Sequence, residues 1–205
     1  MPTKTAKRRD DAVRAEIAAV ASESGTTIRF YRANEKPYGA FSNLYKRQIE
    51  FEGCIFATSE HAYQAGKARK AEVRDWILNA PTPSLAAMAA HGLYVWDVVP
   101  DWAQIKFDRM RAVLRAKFDQ HADLQQLLLS TNDARLVETG TVNNAVNRLW
   151  GEVQGKGENT LGVMLMELRS EYRARSAQRA PKSSADANGV RAKKSSRPKA
   201  LAAIS

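Results

Sequence analysis

Residues 98–120 read VVPDWAQIKFDRMRAVLRAKFDQ, and their apolar residues Ile105, Met110, Val113, Leu114 and Phe118 follow helical spacing, with Val113 and Leu114 three and four positions after Met110 and Phe118 four after Leu114. That spacing lays one apolar stripe along a helix long enough to run through a whole domain. The elements on either side follow from it. Downstream, ADLQQLLLST (122–131) predicts a shorter helix and LVETG (136–140) a strand. TVNNAVNRLWGEVQGKGENT (141–160) is polar and Gly-rich and reads as a long loop, and LGVMLMELRSEYRAR (161–175) closes the domain as a helix. Upstream, PTPSLAAMAAHG (81–92) is a helix with Pro83 and Ser84 near its start and Gly92 near its end. Thr58–Ser59 supply an N-cap for EHAYQAGKARKAEVRDWILNA (60–80), which predicts one helix from about Ser59. Gly66 weakens it by ~1 kcal/mol.

The first elements of the domain look extended instead. TIRFYRA (27–33) is β-branched and aromatic, and RQIEFEG (47–53) alternates Ile49 and Phe51 with polar residues before a turn at Gly53. KPYGAFSN (36–43) lies between them as a loop. Two or three short strands followed mostly by helices make an α+β fold, predominantly α-helical, with a small sheet of short strands.

The chain has 205 residues, which suits one domain with tails. The net charge of +10 is unevenly spread. From Arg173 onward nine basic residues face one acid, Asp186, whereas the stretch 26–172 is close to neutral. The expected organisation is therefore an N-terminal extension (1–25) with a loosely attached helix, a domain (26–172), and a basic tail (173–205). That tail has too little apolar content to order itself. No run approaches ~18 apolar residues, which excludes a membrane-spanning helix. The N-terminal residues carry charges but no apolar segment, so no secretory signal is expected. A single cysteine, Cys54, precludes an internal disulfide and argues against a cysteine-based zinc site. A soluble cytoplasmic protein is the expectation.

Three places could carry chemistry. Glu60, Gln64 and Lys67 stand at i, i+4 and i+7, so on one helix they share a face, with His61 one position round. As a surface stripe they would be solvated ion pairs. Flanked by the small residues Ala62, Ala65 and Ala68, they leave room for a ligand to approach a carboxylate and an amine. The 141–160 loop combines Trp150, which argues for docking on the core, with Gly151, Gly155 and Gly157, whose N–H groups could cradle phosphate. A mobile surface loop would have a similar composition. The third is the set Phe30, Tyr31, Tyr38, Phe41 and Asn43, whose aromatics belong more readily to a core. Trp102 suits either a buried anchor or a stacking platform. His91 and His121 read as ordinary helix residues with no metal-ligand spacing.

Four blocks in order, FYRANEKPYGAFSN, TSEHAYQAGKA, DWAQIKFDRMRAVLRAKFDQHADLQQLLLST and LVETG…LWGEVQGKGENTLGVMLMELR, resemble the NADAR (YbiA-like) family along nearly all of residues 28–169. The resemblance implies a YbiA-like fold and N-glycosidase chemistry: hydrolysis of the C1–N bond of a phosphorylated ribose N-glycoside. Two substrate classes go with it, ADP-ribose on guanine bases of nucleic acid and the ribosylamino-pyrimidine intermediates of riboflavin synthesis. By the same resemblance Glu60 is the catalytic acid/base and Lys67 a covalent (Schiff-base) participant. Asn147 takes the place of the family's Asp in "D-x-x-W-G", with Glu152 as a replacement carboxylate. Tyr31, Asn43, His61, Gln64, Trp102, Trp150, Gly151 and Asn159 are the expected substrate-binding residues, and no metal or other cofactor is implied.

The competing expectation, motivated by Asn147, is a non-catalytic module that binds ADP-ribose or a related nucleotide. The basic tail adds the expectation of non-specific nucleic-acid contact that weakens with salt, or else of a merely solubilising extension.

Overall fold

The computed structural model describes residues 25–179. The expected N-terminal helix and most of the basic tail fall on residues 1–24 and 180–205, outside the described residues. The elements run β1 (Thr27–Phe30), β2 (Ile49–Phe51), β3 (Cys54–Phe56), α1 (Ser59–Ala65), α2 (Ala71–Leu78), α3 (Pro83–His91), α4 (Trp102–Gln120), α5 (Ala122–Ser130), β4 (Arg135–Glu138), α6 (Ala145–Trp150) and α7 (Thr160–Arg179). Helices dominate, and the strands form two separate pairs. β1 pairs with β4 in parallel, from Thr27↔Arg135 to Phe30↔Glu138. β2 and β3 form an antiparallel hairpin turning at Glu52–Gly53.

The stripe on α4 is the spine of the core. Met110, Leu114 and Phe118 are buried with Phe30 at the end of β1, Phe41 in the segment that follows it, Leu136 on β4, and Leu161, Met164 and Leu165 on α7. Phe41 meets Phe30 edge-on at 5.7 Å between ring centroids. Its place, and that of the buried Phe30, puts these aromatics in the core as their composition suggested. Val113, on the same helix, packs on the hairpin residues Ile49 and Phe56. No described helix is long and apolar enough to cross a membrane.

Two predicted elements differ in the structure. The helix expected from Ser59 to about residue 80 is two helices, because α1 stops at Gly66. The reason lies on α4. The Arg109 guanidinium donates to the carbonyls of Ala62 and Tyr63, taking up the free acceptors at the end of α1. A Cβ at Gly66 would come within 1.9 Å of Arg109 Nε. We expect Gly66→Ala to destabilise the fold by about 1–3 kcal/mol despite alanine's better helix propensity, since Arg109 must leave those carbonyls. Urea denaturation measures this, and an unchanged midpoint would refute it.

The second difference is in the predicted loop 141–160, which contains a one-and-a-half-turn helix, α6. Asn144 caps it, its side chain accepting from the Asn147 N–H. The polar composition that suggested a loop is partly capping chemistry. Smaller differences are a 3-10 turn at Tyr38–Phe41 inside the first loop, and His121, which joins α4 to α5 rather than lying within a helix. Arg173 and Arg175, counted with the tail, sit on α7 and pair with Asp133 and Asp119.

Candidate active site

A cavity of about 420 Å³ opens between α1, the start of α4, the end of β4 and α6. Its volume falls in the range of small-ligand sites. Nine of the eleven residues singled out from the sequence line it: Tyr31, Asn43, Glu60, Gln64 and Lys67 on one side, and Trp102, Asn147, Trp150 and Gly151 on the other.

Glu60 is placed by the first turn of α1. Thr58 caps that helix by accepting from the His61 N–H, and the Glu60 N–H donates to the Asn43 carbonyl. The buried carboxylate accepts from Gln64 Nε2 at 2.7 Å and from Asn43 Nδ2 at 2.8 Å. Burial raises its pKa, and the two amides oppose that rise without cancelling it. Asn43 Oδ1 is buried and has no hydrogen-bond partner among the described residues. An orphaned acceptor beside a cavity is suited to a ligand donor such as a sugar hydroxyl.

Lys67 shares the cavity but not the helix. It lies in the turn after α1, tied through its N–H to the Gln64 carbonyl and through its carbonyl to the Val99 N–H. The i+7 helical geometry expected for it is therefore replaced by a turn that delivers the amine to the same space. Its Nζ donates to the Ala90 carbonyl, and burial lowers its pKa. Trp102 is at once anchor and wall. Its ring lies 5.2 Å from that of Tyr63, which Trp150 meets edge-on at 5.6 Å, so three aromatics line one flank. Tyr31 shares a hydrogen bond between its hydroxyl and Thr141 Oγ1.

The remaining two lie outside the lining. The ring of His61 is held between Thr58 Oγ1 and the Ala80 carbonyl. Asn159 accepts from the Glu138 N–H and donates to the Leu136 carbonyl, so it completes the free edge of β4. Both shape the site through backbone. Asn147 Nδ2 donates to the Val142 carbonyl at 2.7 Å, a contact that an aspartate could not make. Glu152, expected as a substitute carboxylate, is instead paired with Arg135 and lies outside the cavity lining. Of the glycines expected to offer N–H groups to phosphate, Gly151 lines the cavity and its N–H donates to the Asn147 carbonyl. A Cβ at Gly157 would lie 2.1 Å from the Gly151 carbonyl, and one at Gly151 2.4 Å from the Glu138 carbonyl. Gly151 and Gly157 thus permit close backbone packing.

The sequence reading missed Tyr63, Lys106, His91 and Glu138, all in the lining. His91 is a helix residue, as read, but its pKa is lowered by burial and by the nearby Lys67 charge. Glu138 ends β4, where an acid directly after the buried apolar pair Leu136 and Val137 was the available signal. Among the described residues no group of three or more metal-ligating side chains occurs.

Residues 29–173 match the family model described as the NADAR domain. The chain is 41% identical over 147 residues to N-glycosidase YbiA of Escherichia coli, covering 71% of this chain and 88% of that protein. It is 38% identical over 151 residues to an N-glycosidase of Nostoc punctiforme, covering 72% and 93%. A riboflavin biosynthesis protein of Vibrio vulnificus is 32% identical over 145 residues, which is 70% of this chain but 38% of that longer protein. The NMR structure of the E. coli protein YbiA superposes with a TM-score of 0.66 at 39% identity, covering 75% and 88%.

Proposed function

The chain belongs to the NADAR family, and on that premise we propose that it is an N-glycosidase that hydrolyses the C1–N bond of a phosphorylated ribose N-glycoside. The observation that carries this reading is the convergence of Glu60, held by two amides, with Lys67 and an aromatic flank in one cavity. Breaking an N-glycosidic bond builds positive charge on the ribose ring. A carboxylate beside C1 stabilises that charge and accepts the proton of the attacking water. Trp102 and Trp150 supply aromatic walls suited to a planar base, and the orphaned Asn43 Oδ1 an acceptor for a ribose hydroxyl.

Two substrate classes share this bond: ADP-ribose on guanine of nucleic acid, and ribosylamino-pyrimidine intermediates of the riboflavin route. The riboflavin name of the Vibrio relative supports the second, and the basic C-terminal residues support the first. For Lys67, burial favours the neutral amine, the form that adds to the anomeric carbon of a ring-opened sugar. The test is to incubate pure protein with each substrate, follow release of the base, and add borohydride during turnover. Base release from one class identifies it, and mass fixed at Lys67 shows an imine. ADP-ribose binding without turnover of either substrate would overturn the enzyme reading in favour of a nucleotide-binding module, for which the Asn147 substitution is the motive.

A further inference from the structure

Cleaving a C1–N bond needs a proton at the departing nitrogen as well as a carboxylate at the sugar. Glu60, accepting from two amides, is arranged for the second task. The lining contains one more carboxyl, Glu138, at the C-terminal end of β4. Its backbone is held on both sides. Its N–H donates to Asn159 Oδ1, and its carbonyl accepts from the Glu152 N–H. Its Cβ lies 3.2 Å from the position a Cβ would take at Gly151, so the side chain leaves the strand beside a residue that also lines the cavity. Among the described residues the Glu138 carboxyl has no hydrogen-bond partner, in contrast to Glu60.

We propose that Glu138 is the general acid of the site, delivering its proton to the leaving nitrogen while Glu60 acts at the sugar. The proposal rests on the N-glycosidase reading. In the step, the C1–N electron pair goes to the nitrogen, which takes the proton of Glu138. The water oxygen bonds to C1, and the water proton goes to Glu60. The products are the base bearing N–H and the sugar bearing a 1-hydroxyl. Return of that proton from Glu60 to Glu138 through solvent restores the starting state, so no other reactant is needed.

Two carboxyls in one cavity take different protonation states when their surroundings differ. Burial, reinforced by the charge of Glu60, pushes the Glu138 carboxyl up to about 8, whereas the amides of Asn43 and Gln64 favour the charged form of Glu60. The titratable groups facing Glu138 across the cavity are Glu60 and Tyr63 on α1, Lys67 beyond it, His91 on α3, Lys106 on α4 and Tyr31 after β1.

The experiment has two arms. In the first, kcat and KM of wild type, Glu138→Gln and Glu138→Asp are measured against pH on whichever substrate the wild type cleaves. Glu138→Gln is expected to lose about 10²–10⁴ in kcat, keep KM within about threefold, and lose the alkaline limb of the profile, with Glu138→Asp partly active and retaining that limb. Glu138→Gln activity within about threefold of wild type, or an unchanged alkaline limb, overturns the proposal alone. In the second arm, ¹³C-carboxyl NMR of the free protein follows the Glu138 resonance, whose identity the Gln variant gives. A midpoint above about 7 is expected, and one below about 6 overturns the acid role whatever the substrate. Absence of wild-type turnover on both substrate classes overturns the N-glycosidase reading, and the NMR arm still judges the protonation of Glu138. If Glu138→Gln does not fold, Glu138→Asp and a titration with the Glu resonances assigned by triple-resonance methods decide.

Discussion

Glu60→Gln is expected to lower kcat for N-glycoside cleavage by about 10²–10⁴ while ADP-ribose affinity stays within about threefold. Glu60 does two separable things. In the free protein it accepts from Gln64 and Asn43, contacts that organise the cavity. In the transition state its charge opposes the charge growing on the ribose, and its free lone pair takes a proton from water. Glutamine preserves the shape but supplies neither. It also turns an NH₂ toward one of the two amide donors, so one donor loses its acceptor at a cost of about 1–3 kcal/mol. Melting must therefore be measured beside kcat, and rates taken below the variant's transition. Because burial lifts the Glu60 pKa despite the two amides, the acid limb of the wild-type rate is expected to sit above the ordinary carboxylate range, and to vanish in the variant. Calorimetry against ADP-ribose and single-turnover base release are the measurements. A variant that turns over at the wild-type rate would remove Glu60 from the chemistry, and one that no longer binds would make it a binding residue only.

The reading from sequence succeeded where a periodic pattern or a residue type determined the outcome. The α4 stripe found the core because a helix face must be apolar to be buried: Met110, Val113, Leu114 and Phe118 are buried in it, whereas Ile105 is only half-buried and belongs to no core cluster. Glu60 and Gln64 fell together because they lie one turn apart on a helix. Lys67 was brought to the same cavity for another reason, a turn imposed by Arg109 from a helix 40 residues on, which no local spacing reveals. Glu138 went unremarked because its significance depends on what surrounds it, and that surrounding is assembled by the parallel pairing of β1 with β4 across the intervening helices. Asn159 and His61 show the converse. Their residue types suited a binding site, yet each completes backbone hydrogen bonds that the tertiary fold leaves open. Lys117 is the clearest case. It falls on the buried face of α4 between Leu114 and Phe118, where the apolar pattern alone would have placed a hydrophobe, and it is 0% exposed.

That buried lysine gives the second large effect. Its Nζ donates to the carbonyls of Ala40 and Ser42, the latter at 2.9 Å, and so secures the segment that carries Asn43 to Glu60. Among the described residues no carboxylate pairs with it. Burial, with a smaller contribution from the Arg47 charge, lowers its pKa to about 7, against 10.5 for an exposed lysine. The sign follows from proton binding. Between these two values the unfolded chain holds a proton that the folded chain does not, so raising the pH favours the folded state, by up to about 1.4 kcal/mol per pH unit. Below about 7 both states are charged and the dependence disappears. Relative to Lys117→Met, wild type is thus expected to gain about 2–3 kcal/mol between pH 7 and 9. Urea unfolding of both proteins at several pH values gives the difference, in which other titrating groups, including the buried Tyr63 and Tyr172, cancel to first order. A neutral amine still has N–H donors for both carbonyls, which the methionine lacks, so the variant is expected to be the less stable protein at pH 9. A difference that stays flat with pH would mean that the ammonium remains charged inside the fold. The rings of Tyr45 and Phe118, 5.6 and 5.5 Å from Nζ, would then have to supply the compensation that no carboxylate gives.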